Sequence, residues 1–213
     1  MKNQNYSNIL LLSLIYITNT IFLFFFTEES IIHAIFSQIF LSTILFWYLN
    51  LNQKTFSDKS IFIIFLFFFI KLFLIYIVIF LYWSPLLKLD IGYDPIRYWI
   101  QSDNLIIQNF NTNWISLNYT GILFYYAIIK LIFGNNLLII ALVNSIISTI
   151  AIVEILKIII KNFGNFFEDN RLKFLIFIFI IPEVTFYESI SARESIISSL
   201  YIFIYVFIYR IFF

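Results

Sequence analysis

The sequence predicts an all-α, polytopic membrane protein, with about six transmembrane helices and two in-plane juxtamembrane helices in the outer loop between the third and fourth spans. Three observations predict it. The 213 residues are 62% hydrophobic and 22% aromatic, where soluble domains are about 45–50% apolar. Charged side chains make up 12%, about half the usual share, too few to cover a water-facing exterior. The apolar residues also come in runs near the length a helix needs to cross the hydrocarbon layer, about 20 residues. The same composition excludes several function classes. Thirteen basic and twelve acidic residues leave a net charge of +1, which gives a nucleic-acid binder no electrostatic footprint. The absence of Cys removes disulfides, thiol nucleophiles and thiolate metal sites together. A single His argues against a His-ligated zinc or haem, and no cofactor or divalent metal is indicated.

The apolar runs mark spans at 9–26, 31–49, 61–83, 137–158, 173–191 and 196–212, forming one membrane domain over residues 1–213. The first follows Met1-Lys2 as a signal peptide would, but no small-residue cleavage pattern follows it, so it is read as a retained span. Lys71 falls mid-span and is read as structural, either reaching inward along its stem or meeting an acid such as Glu154. Glu154 and Lys157 have the i, i+3 spacing of a surface pair near the inner face. The run 119–134 is not counted as a span. It contains Lys130, ends on Gly134-Asn135-Asn136, and covers only about 24 Å at the helical rise. The positive-inside rule agrees. If 119–134 does not cross, then Lys2, Lys54, Lys59, Lys157, Lys161, Arg171, Lys173 and Arg210 all fall on the cytoplasmic side. Both termini are then cytoplasmic, residues 84–136 face outward, and the expected location is the bacterial inner membrane.

Within that outer segment, Asp94 suits a helix N-cap and Pro95 the first helical position. Ile96, Trp99, Ile100 and Ile107 follow at helical spacing, with Arg97, Gln101, Asn104 and Gln108 between them. This is an amphipathic helix of about 14 residues, suited to the interface. After the polar run Asn109–Asn113 comes a second, more apolar helix, Tyr119–Phe133. Two such helices would form a platform over the outer face, carrying Asp90, Asp94 and Arg97. Asp103 lies on the polar side and reads as solvated. A second polar knot closes the fifth span: Pro182, Glu183, Glu188, then Arg193 and Glu194. It falls on the same outer side. Charges at that depth read by default as a functional site, and adjacent Arg193 and Glu194 point different ways on a helix, so pairing with each other does not explain them.

These motifs, in this order, resemble the GT-C type glycosyltransferases that use polyprenyl-phosphate sugars, including the protein mannosyltransferase and lipid A aminoarabinose transferase branches. The matching residues are Asp94-Pro95-Ile96-Arg97-Tyr98, Phe133-Gly134-Asn135-Asn136, the Phe163-Gly164 turn in the basic loop, and Pro182 followed by Arg193-Glu194. The resemblance covers residues 61–213. Pro95 stands where the family often has a second acid, and Asn118-Tyr119 where it has Lys-Pro or His-Pro-Pro. The family's further C-terminal spans are missing, which implies a truncated module, a degenerate relative, or one half of an assembly whose partner subunit supplies them.

The resemblance implies transfer of a sugar from a polyprenyl-phosphate donor to an acceptor at the outer membrane face. Asp94 would be the catalytic carboxylate. Asp90, Arg97, Tyr98, Arg193 and Glu194 would bind substrate, the arginines on the leaving phosphate and Tyr98 against sugar or lipid. The rival expectation is a non-catalytic membrane component, or a polymerase-like subunit, of envelope polysaccharide assembly. Bilayer lipid and a lipid-linked sugar are the expected partners in either case.

Overall fold

The computed structural model describes residues 17, 31–52, 55–56, 58–83, 93–111, 113, 117–134, 137–179 and 193–212. Regular structure there is helical, and no strand occurs among the described residues. The elements are α1 (Ile31–Leu51), α2 (Asp58–Trp83), α3 (Tyr93–Ile107), α4 (Leu117–Phe133), α5 (Leu137–Phe179) and α6 (Arg193–Phe212). Neither α1 nor α2 contains Gly or Pro, so nothing interrupts the i→i−4 ladder. The expected span 9–26 lies outside the described residues apart from Ile17.

The first half of α5 is the centre of the bundle. Ile139, Ile140, Leu142, Ile146, Val153 and Leu156 are buried, and α1, α2, α4 and α6 all pack against this helix. Ala141, Ser145 and Thr149 recur every four residues along it and are buried, small side chains that let neighbouring backbones approach closely. Facing it are Leu41, Leu45 and Leu49 of α1 and Ile61, Ile64, Phe65, Phe68 and Leu72 of α2, at the i, i+3, i+4 spacing of one helix face. Among the described residues one stretch, Ile139–Gly164, is long and apolar enough to cross a membrane.

The largest departure from the sequence expectation is in α5. A span ending at 158, a basic loop and a new span from 173 were expected; helical residues run from Leu137 to Phe179 as two helices joined across a kink at Phe163. Residues 159–172 contain no Pro and one Gly, and Lys, Asn, Glu and Arg do not stop a helix. Basic residues report which side of a membrane a segment lies on, not where its helix ends. The expected Phe163-Gly164 turn survives as a kink, with Phe163 at φ −130° and ψ 30°.

The segment expected to face outward forms the two helices expected of it, packed on each other as an antiparallel hairpin, α3 on α4. Its corner is tight. Asn109 and Phe110 both take positive φ, 50° and 62°, and the Phe110 amide donates to the Leu105 carbonyl at 2.9 Å, closing the end of α3. A bulky residue in the left-handed region is strained; here the Phe110 ring stacks on Phe124 at 5.5 Å, which holds it. Gly134 ends α4 at φ 89°, donating to the Lys130 carbonyl at 2.9 Å.

The platform is not flat with respect to α5. The Tyr125 hydroxyl of α4 donates to Asn144 Oδ1 of α5. These residues lie eight and seven positions from the α4–α5 corner, so helices at a right angle would hold their backbones about 16 Å apart, too far for the two side chains to bridge. Helix α4 therefore leans back along α5, as a sloping buttress.

Candidate functional site

Two polar clusters stand apart in the fold, one on the α3–α4 hairpin and one where α1, the first half of α5 and α6 meet. The first joins α3 to α4. Lys130 Nζ is within 2.7 Å of Asp103 Oδ1, donates to the Trp99 carbonyl at 2.6 Å, and sits 3.8 Å from the centre of the Trp99 ring. A carboxylate, a carbonyl and a π-face thus surround one ammonium whose side chain is 3% exposed. Asp103, expected to be merely solvated, is the anionic partner in this brace. Burial pushes the Lys130 ammonium below its ordinary range, while the hydrogen bond and charge of Asp103 pull it back up.

The Lys130 brace has a pH signature. Its proton is held less tightly in the folded chain than in the unfolded one, so the unfolded state binds more protons in the window between the lowered pKa and the ordinary value of 10.5. Stability therefore rises with pH through that window. Lys130→Met keeps the buried stem and loses the charge. It is expected to cost about 1–2 kcal/mol at neutral pH and to abolish the alkaline rise, read from denaturation of the detergent-solubilised protein from neutral to alkaline pH.

This brace lies on the same helix, α3, as the sequence-predicted residues Asp94, Arg97 and Tyr98. Asp94 and Pro95 fall in the first turn of α3, which begins at Tyr93, so Asp94 lies inside the helix start instead of ahead of it as a cap. An acid there still complements the helix dipole. Arg97 is exposed. Tyr98, expected to meet sugar or lipid, is 3% exposed and stacks on Tyr126 with ring centres 6.4 Å apart. Its ring belongs to the α3–α4 contact. Arg193 and Glu194 open α6. Asp90, Pro182, Glu183 and Glu188 lie outside the described residues.

The second cluster was read in the sequence as a plain surface pair, Glu154 with Lys157. Glu154 is instead 8% exposed and joins three helices. Its Oε1 accepts from the Tyr48 hydroxyl of α1 and from Lys157 Nζ at 2.5 Å; its Oε2 pairs with the Arg210 guanidinium of α6. Lys157 also reaches the Tyr48 hydroxyl at 3.2 Å. One turn further, Asn162 and Tyr209 are hydrogen-bonded through the tyrosine hydroxyl at 2.8 and 3.0 Å. The C-terminal parts of α1, of the first half of α5 and of α6 therefore meet at one end of the bundle.

Between the clusters runs a buried polar seam on α5. Lys71 of α2, 1% exposed, donates to Ser148 Oγ at 3.1 Å; the acid Glu154 offered as its alternative partner is committed elsewhere. Ser148 and Thr149 hydroxyls both donate to the Ser145 carbonyl, at 3.2 and 2.7 Å. Among the described residues no group of three or more His, Asp or Glu is placed to hold a metal ion. Sequence reasoning missed Tyr48, Trp99 and Asn144 because their partners lie 106, 31 and 19 residues away, and nothing in one sequence pairs them. No protein-family model, curated protein or solved structure matches this chain.

Proposed function

We propose that this chain is a polytopic membrane protein that transfers a sugar from a polyprenyl-phosphate donor to an acceptor at the outer face. The observation that carries the membrane part is an inverted distribution of polarity. Lys71, Lys130, Asn144, Ser145, Ser148, Thr149 and Glu154 are buried, whereas Phe40, Trp47, Leu131, Ile132, Tyr201, Phe207 and Phe212 are more than half exposed. Water would penalise both halves of that pattern, and lipid favours both. Helices α1 and α2, 21 and 26 residues long, reach about 32 and 39 Å, which suits a bilayer core. The meeting of the C-terminal parts of α1, of the first half of α5 and of α6 near Glu154 is what the orientation with all three pointing inward requires.

The transferase part rests on the motif Asp94-Pro95-Ile96-Arg97-Tyr98 and on its setting. A helix braced at Trp99, Asp103 and Phe110 holds its first turn in a fixed place, as catalysis requires of a carboxylate. In the proposed step the acceptor hydroxyl gives its proton to Asp94 while its oxygen bonds to the anomeric carbon. The bond from that carbon to the phosphate oxygen breaks, and the polyprenyl phosphate leaves with the electron pair. Arg97 and Arg193 neutralise the phosphate, with Asp90 and Glu194 ordering the arginines or the acceptor. The burial of Tyr98 favours a second reading, a non-catalytic component of envelope polysaccharide assembly, since it removes one sugar-stacking ring from the surface.

The test uses the chain's lack of cysteine. Trp114→Cys and Lys161→Cys provide single labelling sites in intact cells. An impermeant maleimide is expected to reach the first and not the second, and membranes carrying the chain are expected to consume a polyprenyl-phosphate sugar. Labelling of both sites from outside overturns the topology. Opposite-side labelling without donor turnover selects the non-catalytic reading.

A further inference from the structure

Several polar side chains of this bundle bond back to their own backbone. The Thr43 and Thr149 hydroxyls donate to the Ile39 and Ser145 carbonyls, both at 2.7 Å. The Asn52 and Asn162 amides donate to the Tyr48 and Ile158 carbonyls at 2.7 and 2.9 Å. Each reaches the carbonyl four residues back, the local option open to Ser, Thr or Asn in a helix. Asn144 and Ser145 do not take it. Among the described residues, Asn144 Nδ2 and Ser145 Oγ are the buried side-chain atoms that make no hydrogen bond, in residues 1% and 0% exposed.

Their neighbours are committed elsewhere. Asn144 Oδ1 accepts the Tyr125 hydroxyl of α4, which holds the amide across the α4–α5 contact. The Ser148 and Thr149 hydroxyls both go to the Ser145 carbonyl, and neither meets the Ser145 hydroxyl. A buried polar group without a bond bears its full desolvation cost, and buried polar groups are as a rule bonded to protein or to ordered water. Two such groups at adjacent positions therefore point to a shared ligand. Its chemistry follows from the pair. The amide nitrogen only donates and has no lone pair for a cation, whereas the hydroxyl both donates and accepts. Water accepts from the first and bonds the second in either sense.

We propose that Asn144 and Ser145 form an internal water-binding site at the α4–α5 contact, the bound water accepting from Asn144 Nδ2 and hydrogen-bonded to Ser145 Oγ. Successive Cα atoms are about 3.8 Å apart, so both atoms are within reach of one water, or of two in contact. Tyr125, Asn144, the water and Ser145 then make one polar chain that joins the hairpin to the central helix. The site is independent of the sugar-transfer reading, because both side chains are enclosed by the bundle whatever surrounds it.

Hydroxyl-radical footprinting of the full chain in mild detergent tests this, because radiolysis of a bound water oxidises side chains beside it despite their burial. Tyr125, whose hydroxyl meets the same amide, is the reporter. Phe65, 2% exposed, is the buried control, and Tyr201, 69% exposed, is the surface control. Tyr125 is expected to be oxidised in wild type and to fall about five-fold in Asn144→Leu/Ser145→Ala, which leaves nothing to hold the water, with both controls unchanged. Tyr125 oxidation that the double substitution leaves unchanged, or that already matches Phe65 in wild type, overturns the site. Where the double variant unfolds and exposes Phe65, Ser145→Ala alone decides. It deletes one oxygen and is expected to lower the denaturation midpoint, because the water loses a bond. An unchanged or higher midpoint marks a dry hydroxyl and overturns the site. So does a rise of the wild-type midpoint when chloride replaces gluconate that Ser145→Ala abolishes, which assigns the pair to an anion.

Discussion

Asp94→Asn is expected to lower sugar transfer by about 10²–10⁴-fold, the usual contribution of a positioned general base, while the protein inserts and folds as wild type. The carboxylate is needed twice in the proposed step, to accept the acceptor's proton and to oppose positive charge developing at the anomeric carbon. The amide has the same shape and does neither. Asn also tolerates the start of a helix, so the first turn of α3 (Tyr93–Ile107) should survive the change. Asp103→Asn, on the same helix, separates chemistry from support. It weakens the contact with Lys130, 2.7 Å away, and is expected to shift thermal stability with little effect on turnover. The measurement is release of radiolabelled sugar from a polyprenyl-phosphate donor in membranes carrying equal amounts of each variant. Activity of Asp94→Asn within a few-fold of wild type would remove Asp94 from the mechanism and favour the non-catalytic reading.

What the sequence made legible was set by local physics. Helices α1 and α2 were readable because uninterrupted apolar runs are a one-dimensional signal, and α3 because Asp94-Pro95 and the Ile96–Ile107 spacing announce a start and a face. Gly134 announced the end of α4, and the structure gives it the positive φ of 89° expected of a helix-ending Gly. The basic stretch after residue 158 was legible in part: the expected break at Phe163-Gly164 is present as a kink, but helix, not loop, continues on its far side. Lys130 had counted only as a reason to doubt a span. Its neighbours Trp99 and Asp103 lie 31 and 27 positions back, and only the fold of the hairpin brings them there. Tyr98 could be read equally as a surface ring or a core ring, because its place between polar and apolar faces depends on the partner helix; Tyr126 decides it.

Glu154 carries the largest stability effect. Glu154→Gln is expected to cost about 3 kcal/mol, the lower end of the range for removing one member of a buried ion pair. An amide presents an oxygen to one side and two N–H donors to the other. Whichever way it turns, donors face either Arg210 or the Tyr48 and Lys157 pair, all of which now donate to the carboxylate. The two stranded cations differ. The Arg210 side chain is largely exposed and rehydrates, whereas Lys157 is 19% exposed, so most of the cost falls on Lys157. A second substitution therefore distinguishes a charge imbalance from simple loss of packing. Glu154→Gln with Lys157→Met removes the stranded ammonium and keeps its apolar stem, and should recover about half the loss, since exchanging a whole buried pair for apolar side chains is often near neutral. Packing loss predicts the opposite, a double variant less stable than either single one. Denaturant unfolding in detergent measures the stability, and amide exchange locates the damage. Faster exchange in α6 (Arg193–Phe212) than in α2 (Asp58–Trp83) is expected of Glu154→Gln, because α6 loses its ion pair to α5 while α2 keeps its contact through Lys71 and Ser148.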